Sequence, residues 1–378
     1  MKICLLGPSY PFRGGISHYT TLLCRHLRLR HPVTFISFKR QYPEFLFPGK
    51  TTIDPSQICF KEDDTRRILD SMNPFSWLKV AREVLYSKQD LLIIPWWVSF
   101  WAPQFWTIAW FVKKFSQTKI LFLCHNVVEH ESKWFDKLLT RLVLKKGDYF
   151  IVHSDSDKSN LLKMLPGAKV SKTFHPTYDC FNLTSYDPFK IKKQYNLKGN
   201  VLLFFGFVRD YKGLKYLLKA MPAVLSEVQV TLLVVGEFWD DKQGYLKLAE
   251  ELGIESQVIF IDRYIANEEV GNYFSASDLV IQPYVSATGS GIIQIAFGFN
   301  KPVVATRVGS LPEVVDDGRT GYLVSPESSK ELAEAIVTFF SHNKAHEFVR
   351  NISEANYRFS WDRIINVIES LAGSLNDI

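Results

Sequence analysis

Short apolar runs alternate with amphipathic stretches along most of the chain. They occur at Ile3–Gly7, Val33–Phe38, Leu91–Pro95, Ile120–Cys124 and Tyr149–His153. A second series follows at Val201–Phe205, Val228–Val235, Val258–Ile261, Leu279–Gln282 and Val303–Thr306. A strand covered on both faces reads as a continuous apolar run. Helical spacing separates several of these runs, as in His18–Leu29 and Lys133–Leu144, so the pattern predicts β-α-β units with parallel sheets. The pattern loosens around Pro188 and Gly199. This predicts two doubly wound domains, at 1–180 and 199–355, joined by a connection at 181–198, with a last helix-like stretch within 356–378.

Two loops at predicted strand ends carry candidate chemistry. Tyr284–Thr306 reads as a strand end, a loop of small residues, a helix start and a Lys-Pro turn into another strand. In Ser286-Ala287-Thr288-Gly289-Ser290-Gly291 the side chains are small and backbone N–H groups can be exposed. A helix start just behind such a loop makes an anion site of peptide dipoles, suited to phosphate. The run Val201–Gly206 is followed by Phe207-Val208-Arg209-Asp210-Tyr211-Lys212-Gly213, then Leu214, Leu217 and Leu218 at helical spacing. Arg209 and Lys212 therefore fall at the carboxyl end of a strand, where open α/β sheets bind ligands. Two cations there can neutralise a pyrophosphate leaving group. The alternative for the first loop is an ordinary strand-to-helix turn, and for the second a solvated basic turn.

The order of motifs resembles the retaining nucleotide-sugar glycosyltransferases of family 4. The matching pieces are Gly14-Gly15, His125-Asn126, Gly206…Arg209…Lys212-Gly213, Val234-Val235-Gly236-Glu237 and Ser275-Ala276-Ser277-Asp278-Leu279. The series closes with Lys301-Pro302-Val303-Val304-Ala305-Thr306, Gly309…Pro312-Glu313-Val314-Val315 and Asp317-Gly318…Gly321-Tyr322-Leu323-Val324. The resemblance covers essentially the whole chain. It implies the GT-B fold, two Rossmann-like domains facing across a cleft, with the first on the acceptor side and the C-terminal helix packing back on it. It also implies transfer of a sugar from a nucleotide diphosphate to a glycan or lipid-linked acceptor, in surface polysaccharide assembly, with no cofactor besides the donor.

In that reading Arg209, Lys212 and His125 are the catalytic candidates. Gly14, Gly15, Gly236, Tyr264, Ser286, Thr288, Gly289, Ser290, Gly291, Gln294 and Glu313 are the substrate-binding ones. His125 would lie near the donor sugar and Tyr264 near the base. Gly14-Gly15 lets backbone approach a diphosphate or acceptor closely. Glu313 is equally a helix cap. The chain departs from the family at three places. Ala287 and Ile295 hold the positions of the two usual glutamates, with Gln294 one position away, and Phe207 holds that of an arginine, with Arg209 two residues on. A non-catalytic nucleotide-sugar or glycan-binding relative of the same fold is the second reading; a phosphorylase-like or epimerase chemistry is the same-fold alternative.

Composition narrows this. With 378 residues, 47% of them hydrophobic, the chain has ample length for two cores. The five cysteines show no metal-ligand spacing and are read as reduced thiols of a cytoplasmic protein. No compact carboxylate cluster suggests a metal site. The net charge of +6 concentrates in part on Lys133, Lys137, Arg141 and Lys145, a basic row at helical spacing beside an apolar row of Trp134, Leu138 and Leu142. The row is either a solvated helix face or a peripheral contact with an anionic membrane. Nucleic-acid motifs are absent. Leu91–Val112 carries 22 uncharged residues, but its prolines and Gln104 favour a strand at Asp90–Pro95, an aromatic loop and a helix ending at Lys113-Lys114 over a membrane span. Its tryptophans are expected in the core or between the domains, or against an acceptor or membrane surface.

Overall fold

The structure is a computed structural model. It describes residues 1–43, 51–56, 62, 64–128, 134–178, 181 and 186–373. The chain divides into two compact units, one of Met1–Phe174 with Ser360–Ile378 and one of His175–Phe359.

Unit 1 is built on seven strands: β1 (Ile3–Leu6), β2 (Val33–Arg40), β3 (Arg66–Asp70), β4 (Leu91–Trp96), β5 (Lys119–Cys124), β6 (Tyr149–Val152) and β7 (Val170–Lys172). They are parallel, in the order β3-β2-β1-β4-β5-β6-β7. The connecting helices are α1 (Gly15–Arg28), α2 (Pro74–Tyr86), α3 (Ala102–Phe115), α4 (Trp134–Leu144) and α5 (Asp155–Met164). Local chemistry starts several of them. The Asn73 side chain accepts from the Phe75 N–H, with Pro74 in the first turn of α2. Ser154 caps α5 in the same way.

Unit 2 begins with α6 (Pro188–Gln194), followed by β8 (Asn200–Phe205), α7 (Leu214–Leu225), β9 (Val230–Val235), α8 (Lys242–Glu251), β10 (Val258–Ile261) and α9 (Asn267–Ala276). Then come β11 (Leu279–Gln282), α10 (Gly291–Gly298), β12 (Val303–Thr306), α11 (Leu311–Val314), β13 (Gly321–Val324), α12 (Ser329–Ser341) and α13 (Ala345–Ala355). Its six strands are also parallel, in the order β10-β9-β8-β11-β12-β13. Both sheets have interior strands buried along their length, which is why they appear in the sequence as apolar runs.

Several boundaries differ from the periodicity. The loosened stretch at 181–198 contains α6, begun by an Asp187 cap and Pro188, and α6 packs on α9 within unit 2. Short β3 and β7 and helix α2 have mixed composition and leave no clean apolar run. The last helix, α14 (Trp361–Gly373), lies on α1 in unit 1. The Trp361 ring stacks on His26 at 5.0 Å, and Arg30 reaches Asp362 at 2.6 Å and Glu369 at 3.2 Å.

The tryptophan-rich segment is mostly core. Trp96, Trp97 and Trp101 are buried, and Trp101 packs against Phe38, Tyr42 and Phe100. Trp106 is exposed. Among the described residues no helix is long and apolar enough to cross a membrane. Cys4, Cys24 and Cys124 are buried free thiols, and burial pushes the first two up to about 12. Cys59 and Cys180 lie outside the described residues, as does Lys133 of the basic row.

A polar group inside unit 1 ties stability to pH. His153, just past β6, is buried, and its Nδ1 lies 2.8 Å from the Thr173 carbonyl. Burial pushes its pKa down to about 4. The native ring stays neutral where the unfolded one takes up a proton, so the unfolded state binds more protons between pH 6.5 and about 4. Stability should therefore fall as pH drops through that window, by roughly 3 kcal/mol in total. Denaturant titrations of the native chain and of His153→Gln at a series of pH values check this. The variant is expected to lose most of the slope above pH 4.5, and an unchanged slope would remove His153 as its source.

Candidate active site

Most candidate residues of unit 2 lie just past the carboxyl ends of β8, β9 and β11, with Tyr264 past β10 and Glu313 on α11 beyond β12. Three glycines make the approach possible. Gly206 follows β8 at φ 102°, and Gly236 follows β9 at φ 145°. A Cβ on Gly236 would lie 2.0 Å from the Gly206 carbonyl oxygen, so the two backbones touch where only glycine fits. Gly213, at φ 69°, presses on Pro283, where a Cβ would meet the carbonyl oxygen at 1.9 Å. The short turn Asp210–Lys212 is thus clamped onto the end of β11, and the Val285 N–H donates to the Tyr211 carbonyl at 2.7 Å.

That clamp drives Lys212 inward. The residue is buried, and its ammonium sits 3.0 Å from where a Gly206 Cβ would be, with the Ile292 side chain at the same spot. Its Nζ is 5.4 Å from the centre of the buried Tyr284 ring. Among the described residues no carboxylate pairs with this ammonium and no acceptor takes a hydrogen bond from it. Burial lowers its pKa; Tyr211 acts the other way, and Arg209 adds to the lowering. Arg209 itself is exposed, with its guanidinium 5.4 Å from the Tyr211 ring and 5.7 Å from the Trp239 ring.

The small-residue loop runs beside this cation into α10. Gly309, at φ 53°, meets it so closely that a Cβ would lie 1.9 Å from the Ala287 carbonyl oxygen. The Ser310 N–H donates to the Thr288 carbonyl at 3.0 Å. The Ser290 hydroxyl donates to Gln282 Oε1 at 3.0 Å, and the Thr306 hydroxyl to the Tyr284 carbonyl at 2.6 Å. Among the described residues, the N–H groups of Ser290, Gly291 and Ile292 meet no acceptor, as expected of the first turn of a helix without a side-chain cap. Gly289 and Gly291 are exposed, and Ser286 and Thr288 half-buried. Gln294 is 1% exposed, and its Oε1 has no partner among the described residues. Ala287 and Ile295 are buried apolar side chains, so this loop and helix contribute no carboxylate.

An aromatic group borders the cations. The Phe207 and Trp239 rings are tilted by 30° with centroids 4.3 Å apart, and Tyr264 is 6.2 Å from Phe207. All three are partly exposed. Trp239 escapes the motif reading; the signal for it is a large aromatic three residues beyond the glycine that ends β9. Glu313 lies in the first turn of α11, partly exposed, and its carbonyl accepts from Arg358 at 3.3 Å.

Gly14, Gly15 and His125 belong to unit 1. Gly14, at φ 113°, precedes α1 and has open space around its Cβ position, and Gly15 is the first residue of that helix. One turn on, His18 Nε2 lies 3.2 Å from Asp54. Burial pushes the Asp54 carboxyl up, but hydrogen bonds from His18 and Ser56 outweigh it and bring the pKa to about 2. His125 sits just past β5, its N–H donating to the Trp96 carbonyl at 2.8 Å and its ring edge-on to Tyr19 at 4.6 Å. Among the described residues no three His, Cys, Asp or Glu side chains are grouped to hold a metal ion.

Residues 199–342, nearly all of unit 2 from β8 onward, match the model of the family Glycosyl transferases group 1. A D-inositol 3-phosphate glycosyltransferase of Corynebacterium glutamicum is 28% identical over 226 residues, 58% of this chain and 53% of that protein. An uncharacterized glycosyltransferase of Methanocaldococcus jannaschii is 26% identical over 167 residues, 43% of this chain and 42% of that protein. The chain spans about half the length of the curated relatives it matches. Among solved structures, HepE of Anabaena in complex with UDP superposes with a TM-score of 0.75 at 20% identity, covering all of both chains. Sucrose-phosphate synthase of Thermosynechococcus elongatus gives 0.72 at 20%, covering 99% of each. At that identity the likeness concerns the fold. The chain has the two parallel α/β units of the GT-B glycosyltransferases, and its second unit is similar to glycosyl transferases group 1.

Proposed function

We propose that the chain transfers a sugar from a nucleotide diphosphate donor to a hydroxyl of a glycan or lipid-linked acceptor, with retention and without a metal ion, in the assembly of a surface polysaccharide. The observation that carries the reading is the buried Lys212 ammonium, unpaired among the described residues, beside the uncapped start of α10. A cation without a counter-charge inside a protein fits an anion that arrives as ligand. HepE, whose fold the chain shares, is described in complex with UDP-glucose as well as UDP.

The donor diphosphate lies against Lys212 and the N–H groups of Ser290, Gly291 and Ile292, with Arg209 at its outer edge. When the bond between the sugar and its phosphate breaks, the electron pair stays with the phosphate oxygen. Lys212 and the amides stabilise that charge, and each such contact is worth about 2–4 kcal/mol in the transition state. The acceptor oxygen forms the new bond to the sugar carbon and passes its proton to the departing phosphate oxygen, which kept the electron pair of the broken bond. Phe207, Trp239 and Tyr264 offer a face for the base. Gln294 Oε1, buried and unpartnered, is an acceptor for a donor hydroxyl. The family's two glutamates are replaced by Ala287 and Ile295, so hydroxyl recognition falls to Gln294, Ser286 and Thr288. Lys137 and Arg141 on α4, with Lys145 just past its end, would hold a cytoplasmic enzyme at the inner face of the membrane, where a lipid-linked acceptor is found.

Lys212→Met separates function from stability. It should weaken binding of UDP or GDP at least about tenfold and raise unfolding stability by about 1–3 kcal/mol, because a buried charge is removed. Calorimetric titration and thermal unfolding read the two effects, and a variant that binds normally would overturn the assignment. In the native chain, diphosphate affinity should fall as pH rises through the lowered Lys212 pKa, because the anion selects the protonated amine.

Trp239→Ala should cost about 1–3 kcal/mol of nucleoside diphosphate affinity and leave inorganic pyrophosphate binding unchanged. Equal loss for both ligands would remove the base from the aromatic group. Donor hydrolysis by the native chain, followed with UDP- and GDP-sugars, tests the chemistry: binding without turnover in the presence of broad acceptor mixtures favours the non-catalytic reading.

A further inference from the structure

The two ends of the unit 2 sheet differ in chemistry. Lys212, Trp239 and Tyr264 follow the carboxyl ends of β8, β9 and β10. At the opposite ends, where these strands begin, a cavity of about 590 Å³ opens among Tyr195, Asn196, Ser226, Gln229, Ser256 and Gln257. Backbone geometry shapes it. Gly199, at φ 68°, lies so close to Gln229 that a Cβ would meet its carbonyl oxygen at 2.4 Å, so the chain entering β8 is pressed onto the chain entering β9. Asn196 holds its turn at φ 48°, a conformation that its short amide side chain tolerates. A second cavity, of about 330 Å³, adjoins the first: Glu227 and Val228 line both, and Asn200, Phe340 and Asn343 line the second. Volumes of this size are those of ligand sites.

The lining says what fits. In the larger cavity the charged side chains are Lys198 and Glu227, one of each sign, so neither a phosphate nor a cation is favoured. Its polar wall is made of amides, from Asn196, Gln229 and Gln257, and of hydroxyls, from Ser226 and Ser256. A side-chain amide donates and accepts in one plane, which matches a pair of neighbouring sugar hydroxyls. Tyr195 adds a ring on which the C–H face of a sugar can pack. That ring is held by a hydrogen bond to Tyr273 of α9, with the ring centres 6.5 Å apart. Gln257 is the most informative of these residues. Its N–H donates to the Ile254 carbonyl at 2.9 Å, and its carbonyl accepts from the Leu232 N–H at 2.8 Å. Its side-chain Oε1 is buried and has no partner among the described residues. A buried acceptor beside a cavity calls for a donor that enters the cavity. A peptide partner would need a strand edge or an apolar groove, whereas strand ends and amides line this wall.

We infer that the two adjoining cavities form a binding groove for a neutral oligosaccharide, at the end of the unit 2 sheet opposite the diphosphate site. A sugar ring lies against Tyr195 and Gln257, and the chain continues past Glu227 and Val228 into the smaller cavity. Such a groove keeps a glycan on unit 2 while the diphosphate site is empty. It goes beyond the proposed transfer reaction and does not depend on it.

Calorimetric titration of the full chain with maltohexaose, cellohexaose and N-acetylchitohexaose tests the groove. At least one should bind at millimolar concentration, and saturating UDP should leave that binding unchanged. Gln257→Leu removes the unpartnered oxygen with little change in volume and should weaken binding about tenfold. Ser226→Trp, at an exposed position on the wall, should fill the cavity and abolish binding. Both variants should keep native UDP affinity and unfolding temperature; Ser226→Trp alone decides if Gln257→Leu fails to fold. No binding by any of the three hexasaccharides overturns the inference. So does binding that UDP displaces or that both variants retain, because the sugar then sits elsewhere. Self-association of the native chain that Ser226→Trp abolishes would assign the groove to a second copy of the chain and overturn it as well. Oligosaccharide binding by a chain that never turns over a donor leaves the groove standing and removes the transfer reaction, so the two fail separately.

Discussion

The site in unit 2 depends on holding an ammonium group away from water without a counter-charge. Removing a lysine from solvent costs several kcal/mol unless something replaces its hydration. The chain accepts that cost through the backbone. Gly213 lets the turn after β8 press against Pro283, and the Val285 N–H ties the same turn to the loop after β11. With both ends fixed, the Lys212 side chain has one way to go, past Gly206 toward the start of α10. Gly206 lacks a side chain at the point where the ammonium arrives, so positive charge and peptide dipoles face the same small space.

The neighbouring residues leave this charge unneutralised. Asp210 is two residues from Lys212, but its carboxylate pairs with Lys215 on the outer side of the turn. The loop before α10 and the helix itself add no carboxylate, since Ala287 and Ile295 are buried apolar side chains. The Ser290 hydroxyl is turned to Gln282. What remains for a ligand is a cation, a set of N–H donors, one buried amide oxygen on Gln294 and an aromatic border. Such a site selects strongly for an anion and weakly among hydroxyl patterns. In the proposed reaction these residues therefore specify the diphosphate of the donor more closely than its sugar.

The sequence carried the strands well, because a strand covered on both faces must be apolar throughout. Thus β4, β5, β8, β9 and β12 lie within a residue or two of their apolar runs. It carried β3 and α6 poorly. Arg66-Arg67-Ile68-Leu69-Asp70 is an edge strand that needs little burial, and α6 is short and begun by a cap and a proline within a segment that looks irregular. Lys212 was legible as a cation at a strand end, but its burial was not, because burial comes from the clamp at Gly213 and Pro283, far apart in sequence. Trp239 was missed for the same reason: β8 and β9 must pair before Phe207 and Trp239 can meet. The tryptophans of Leu91–Val112 were ambiguous, since composition does not say which of them point into the core, and three of them do.

Folding alone accounts for neither of the two unusual features of this chain. A buried ammonium, unpaired among the described residues, and the exposed apolar row of α4 both oppose stability or solubility, and a sequence shaped only for stability would replace the first with methionine and the second with polar residues. Each violation is local and surrounded by ordinary packing. In the sheet that carries Lys212, β9, β11 and β12 are buried along their length, and α2, α3 and α4 bury their inner faces on the core of unit 1. Departures of this kind, set on an otherwise consistent framework, are where function is expected to reside. The two also differ in kind. The cation needs a small anion that fits among backbone groups, whereas the apolar row needs an extended surface.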